Sequence, residues 1–133
     1  MKTIEVSRAQ CETRLADAEA QLEQARNTIA LQAPGPATSR AAVSSYVLAG
    51  IAAADVICGI RLGKRYNGTD HSQAARLIAE VPGAQEHRKK LTTLLNLKTK
   101  AQYAGGAVSD STVLSAERAA TALVGAARDA ASR

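Results

Sequence analysis

Apolar residues return at helical spacing along almost the whole chain. Between residues 3 and 31, Ile4, Cys11, Ala18 and Ala25 recur every seven positions, and Leu15, Leu22 and Ile29 form a second series four positions on. With Glu, Arg and Gln outside it, that stripe predicts an amphipathic first helix packed along one side. Gln32-Ala33-Pro34-Gly35-Pro36-Ala37 breaks the pattern, because proline lacks the N–H a helix needs and glycine is entropically costly there. Residues 32–40 therefore read as a Pro/Gly linker. Thr38 or Ser39 is the expected cap of a second helix over 41–62, and Gly63 is placed for a left-handed stop.

Lys64-Arg65-Tyr66-Asn67-Gly68 follows as a basic loop with an Asn-Gly turn. Asp70 and Gln73 form a capping pair for a short third helix to about residue 81, which Pro82-Gly83 ends. A fourth helix is predicted over 84–104, stopped by Gly105-Gly106. Ser109 or Asp110 then caps a fifth over 111–131, with Val113, Ala116, Ala120, Leu123, Val124 and Ala127 inward. Repeats and strand patterns are absent. Four long helices and one short one, joined by short loops, predict a single all-α domain over 1–133, laid out as an up-and-down bundle.

Two charges interrupt this pattern. Lys98 shares the fourth helix's apolar face with Leu91, Leu94 and Leu95, and Asp55 shares the second helix's face with Val47, Ile51, Cys58 and Leu62. An unpaired buried charge is expensive, so Lys98 must either snorkel to water or meet a partner. A buried Asp55–Lys98 pair would account for both anomalies. Such a pair is weak evidence of stability, and would fix helix register or line a functional groove.

Composition supports the class. Hydrophobic residues make up 46 % of the chain, yet there is no Phe or Trp and only three Tyr. An Ala-rich apolar share favours helix over strand. The formal net charge of +5 is unevenly spread. Residues 1–31 carry four positive and five negative groups, whereas residues 61–100 carry nine positive and three negative. Within that basic centre, Lys64, Arg65, Arg88, Lys89, Lys90 and Lys100 are candidate contacts for an anionic partner such as RNA. Without Phe or Trp, stacking of single-stranded bases on an aromatic platform is not expected.

Other chemistry is limited by what is missing. No Cys-x-x-Cys or His-x-x-x-His pair marks a metal site, and Gly105-Gly106 lacks the lysine and hydroxyl of a phosphate loop. No cofactor is expected. Cys11 and Cys58 fall at apolar helix positions and are expected as buried free thiols of a cytoplasmic protein. Met1-Lys2-Thr3-Ile4-Glu5 has no secretory character. Residues 41–60 carry one charge, Asp55, but their Ala, Ser and Gly content fits a helix enclosed in a bundle better than a membrane span.

Three stretches resemble the HEPN superfamily of small bacterial helical domains. They are the small-residue helix from Tyr46 to Cys58, the loop and helix start from Gly68 to Ile78, and Leu94-Leu95-Asn96-Leu97-Lys98-Thr99-Lys100-Ala101-Gln102-Tyr103-Ala104-Gly105. The resemblance implies a HEPN-like bundle, and a homodimer through helices two and four. Active members of that family resemble metal-independent ribonucleases, with an arginine and a histidine separated by four to six residues. Here the matching slot holds Lys98 and Tyr103. Lysine keeps the charge without the bidentate fork, and tyrosine titrates too high to replace imidazole at neutral pH. A second pair, Arg65 and His71, satisfies the spacing one helix too early and is the weak catalytic candidate. The expected function is thus a non-catalytic or degenerate domain that binds RNA, a nucleotide or a cognate protein partner, in a bacterial or phage toxin–antitoxin, defence or regulatory setting. The alternatives are a metal-independent ribonuclease toxin and a structural assembly module.

Overall fold

The computed structural model describes residues 1–103 and 108–133; for residues 102 and 103 it describes the helical backbone alone. The described residues are mostly helical and form five helices and one small sheet: β1 (Thr3–Glu5), α1 (Arg8–Leu31), α2 (Pro36–Leu62), β2 (Lys64–Tyr66), α3 (Ser72–Ile78), α4 (Gln85–Tyr103) and α5 (Asp110–Ala131). The expected Gly105-Gly106 stop lies outside the described residues.

Boundaries in the first half of the chain differ from expectation, each for a local reason. The first helix begins at Arg8, not near residue 3, because Ser7 and Gln10 form a reciprocal capping box. The Ser7 hydroxyl accepts from the Gln10 N–H at 3.1 Å, and the Gln10 side chain accepts from the Ser7 N–H at 2.8 Å. The residues before it pair as β1 with β2 in an antiparallel register of Thr3 with Tyr66, Ile4 with Arg65 and Glu5 with Lys64. The supposed basic loop is therefore half strand. Val6 N–H to Gly63 O (3.0 Å) and Asn67 N–H to Lys2 O (2.9 Å) extend the ribbon at both ends. The second helix starts at Pro36, five residues early, since proline is well suited to the first helical turn after Gly35. Thr38 lies inside it, its hydroxyl donating to Ala33 O at 2.6 Å rather than capping.

Other punctuation behaves as its residue types dictate. Gly63 adopts φ +73° and returns its N–H to Gly59 O, closing α2. The Asp70 carboxylate accepts from both the N–H and the hydroxyl of Ser72 at the start of α3. That helix ends at Ile78, one turn short of the expected 81. Ser109 caps α5 through the Thr112 N–H at 3.2 Å.

The core is built around α2, which packs against α1, α3, α4 and α5. From Ala42 to Gly59 every residue except Ser44 and Leu48 is buried. Small side chains let the neighbours come close. A Cβ on Gly50 would sit 2.3 Å from Leu94 Cδ1, and one on Gly59 would sit 2.5 Å from Cys11 Sγ and 2.9 Å from Val6 Cγ2. Residues of α4 and α5 complete the core, with Leu91, Leu94, Ala116, Ala120, Leu123, Val124 and Ala127 all fully buried. On the outside, α1 and α5 are stitched antiparallel: Arg128 Nε meets Glu19 Oε1 at 2.9 Å, Arg26 donates to Thr121 Oγ1 at 3.0 Å, and Arg8 donates to the carbonyls of Ala131 and Arg133.

Among the described residues α2 is the one helix long and apolar enough to cross a membrane, and 83 % of its most apolar window is buried inside the fold. Its hydropathy is taken up by its neighbours, and only Ala41, Ser44 and Leu48 of its length to Gly59 form a continuous exposed strip beyond the first turn.

Candidate functional site

Asp55 is buried as its position on α2 predicts, with 6 % of its surface exposed, but its partner is not Lys98. Its Oδ2 receives Arg14 Nε at 3.0 Å and Arg14 Nη2 at 2.9 Å, while Arg65 Nη1 stands 4.0 Å away. Lys98 is half-buried beside Arg40, Ala41, Val43 and Ser44. Ser44 and Asp55 are about 16 Å apart along α2 at helical rise, so the lysine cannot reach the carboxylate. The reason is geometric. An enclosed helix turns every side toward a neighbour, and Asp55 looks toward α1 while Lys98 lies half-buried against the N-terminal half of α2.

Arg14 is the site residue that the sequence reading did not single out. Its signal was present: it lies three residues after Cys11 and four before Ala18, on the buried side of α1. Besides Asp55 it holds Asp17 at 3.6 Å, so its donors are committed on both sides. Burial pushes the Asp55 carboxyl up, against the pull of the Arg14 charge and hydrogen bonds, of Arg65 and, most weakly, of His71. The structure thus brings Arg65, but no hydrogen bond or ion pair of His71 among the described residues, to the buried carboxylate; His71 sits at the N-cap position of α3 and makes no side-chain cap.

These groups border a cavity of about 320 Å³ at the junction of the ribbon, α1 and α2. Ile4, Val6, Ala9 and Cys11 give it an apolar wall; Arg14, Asp17, Asp55 and Arg65 give it a charged one. Ile4 and Arg65 are cross-strand partners, so both face it from the same side of the ribbon. Both cysteines are buried free thiols. Burial, then the charges of Asp55 and Glu80, push the Cys58 thiol up to about 12, and burial also raises Cys11, so neither supplies a thiolate nucleophile near neutral pH.

The basic candidates do not form one patch. Arg65 belongs to the cavity, 4.0 Å from Asp55 Oδ2 and donating to the Tyr66 carbonyl at 3.2 Å. Lys64 is half-buried opposite Glu5, and as its strand neighbour it points to the other face of the ribbon. Lys90 is half-buried on α4. The exposed cations of that helix are Arg88, Lys89 and Lys100, the first and last about 18 Å apart at helical rise. Between them the exposed positions are Thr92, Thr93, Asn96 and Thr99. The one acid on α4 is Glu86, 3.3 Å from Lys89. His87 is half-buried, and its Nδ1 is buried without a hydrogen-bond partner among the described residues. The Tyr103 side chain, the second member of the ribonuclease-like slot, lies outside the described residues.

Among the described residues no group of three or more His, Cys, Asp or Glu could hold a metal ion. No family model, curated protein or solved structure matches this chain.

Proposed function

We propose that this chain is a degenerate, non-catalytic HEPN-like domain that binds RNA through the outer face of α4, in a bacterial or phage toxin–antitoxin or defence setting. The observation that carries the reading is the make-up of that face. Arg88 and Lys89 stand at one end and Lys100 at the other, with hydroxyl and amide side chains between them and a single acid. Lysine, arginine, threonine and asparagine are the usual donors to phosphate oxygens, and they position a nucleic acid without reading its sequence. Lys98 lies on the same helix but half-buried, where it adds field rather than a general base.

The test is binding of fluorescently labelled RNA at increasing salt. An electrostatic binder shows log K falling linearly with log salt, and replacing Arg88, Lys89 and Lys100 together by Glu should flatten that slope by about 2 on a single strand. The three side chains are exposed, so each replacement alone should change stability by no more than about 0.5 kcal/mol. Absence of RNA affinity in the unmodified protein at low salt would sink the proposal.

A ribonuclease reading draws on one observation, the position of Arg65 4.0 Å from the buried Asp55, six residues before His71. It requires cleavage in the presence of EDTA that His71→Ala abolishes. The non-catalytic reading expects intact RNA in the same incubation.

A further inference from the structure

The cavity beside Asp55 is not used by the α4 face, and its charges follow a different logic. Two arginines and two aspartates line it, so its wall is dipolar rather than net basic or acidic. Among the described residues, the contacts of Arg14 and Arg65 with Asp55 fall on Oδ2. Arg14 is committed to Asp55 and Asp17. Arg65 is not: among the described residues its contacts run through Nη1, and at 4.0 Å from Oδ2 it is too far to hydrogen-bond to the carboxylate. An acceptor oxygen and an open guanidinium edge therefore stand side by side, next to an apolar wall in which Ile4 is 37 % exposed.

We infer that this cavity binds a free apolar α-amino acid as its zwitterion. The ammonium donates to Asp55 Oδ1, the carboxylate accepts from the Nε–Nη2 edge of Arg65, and the side chain lies against Ile4, Val6 and Ala9. A net anion would gain Arg65 but crowd the buried Asp55 charge, and a net cation would do the reverse toward the arginines; a neutral dipole meets both. A volume of about 320 Å³ is at the small end of ligand pockets, suited to a molecule of this size.

Titration calorimetry of the full chain with leucine, methionine and phenylalanine tests the inference, with N-acetyl-leucine and leucinamide as probes lacking one charge each. At least one free amino acid should bind saturably, one per chain. Each blocked form should bind about tenfold more weakly or worse, as should the Arg65→Gln variant, since each lacks one charge-assisted contact. Arg65 is half-buried at the cavity edge, so that variant should keep its melt; Asp55→Asn gives a second reading of the ammonium contact. The variant with Arg88, Lys89 and Lys100 replaced by Glu should bind the amino acid as the unmodified chain does, which separates this site from RNA binding. No binding of any free amino acid at millimolar concentration, equal binding of leucine and N-acetyl-leucine, or unchanged binding by Arg65→Gln would each overturn it.

Discussion

Asp55 and Arg14 form a pair whose members are not equivalent. Asp55 is nearly sealed, with its side chain 7 % exposed, whereas Arg14 keeps 35 % of its side chain in reach of water. Removing the arginine strands the carboxylate; removing the carboxylate frees the arginine to turn outward. Arg14→Met should therefore cost roughly 3–5 kcal/mol at neutral pH, as for loss of one partner of a buried pair, and Asp55→Asn clearly less. Burial already raises the Asp55 pKa, and losing Arg14 raises it further. A carboxyl held above its unfolded value penalises folding when charged, so the Arg14→Met deficit should shrink as pH falls from 7 toward the carboxylate range. Urea melts of both variants at pH 7 and 5 check this; equal costs, or a deficit that grows on acidification, would contradict it. The anomaly at Asp55 was legible in the sequence because a charge on an apolar face needs an explanation. Its partner was not, because α2 is enclosed on nearly all sides and periodicity does not say which neighbour each side meets.

The elements were legible in proportion to their length. Helices α1, α2, α4 and α5 follow from long apolar series, and Gly63 stops α2 where its backbone freedom allows a left-handed residue. The ribbon escaped because three residues per strand are too few to show alternation. Its partner register is set by the chain reversal at Gly63 and by the start of α1. That start depends on Gly59, where α2 has no side chain and Cys11 and Val6 fill the space. Gly59→Ala gains about 1 kcal/mol of helix propensity but overpacks two contacts at once, at a cost of about 1–3 kcal/mol. The net change should be destabilising, and Cys11→Ala in the same chain should recover part of it by removing the nearer atom, Sγ at 2.5 Å. Chemical denaturation of the single and double variants reads this directly. A stabilised single variant would mean that the junction of α1 and β1 yields freely.

At the scale of the whole molecule, β1 is joined to the bundle mainly through β2, which itself packs on α2 and α3. The main packing runs among α1, α2, α4 and α5, whereas β1 contacts only β2 appreciably. All three β1 residues are exposed. Sequence composition read the bundle, since an Ala-rich apolar pattern has few other solutions. It could not read the cavity, which exists only because the ribbon folds Ile4 and Arg65 over the Arg14–Asp55 pair. Deleting residues 1–5 should therefore leave the capping box at Ser7, the helical circular dichroism and the α4 face unchanged. The losses are the strand hydrogen bonds and little apolar burial, each net bond being worth about 1 kcal/mol, which predicts a melting temperature lower by roughly 5–10 °C rather than unfolding. RNA binding should persist in this variant and amino-acid binding should fail, because Ile4 and the strand that orders Arg65 are gone. Collapse of the helical signal on deletion would show that the ribbon is part of the bundle's own stability.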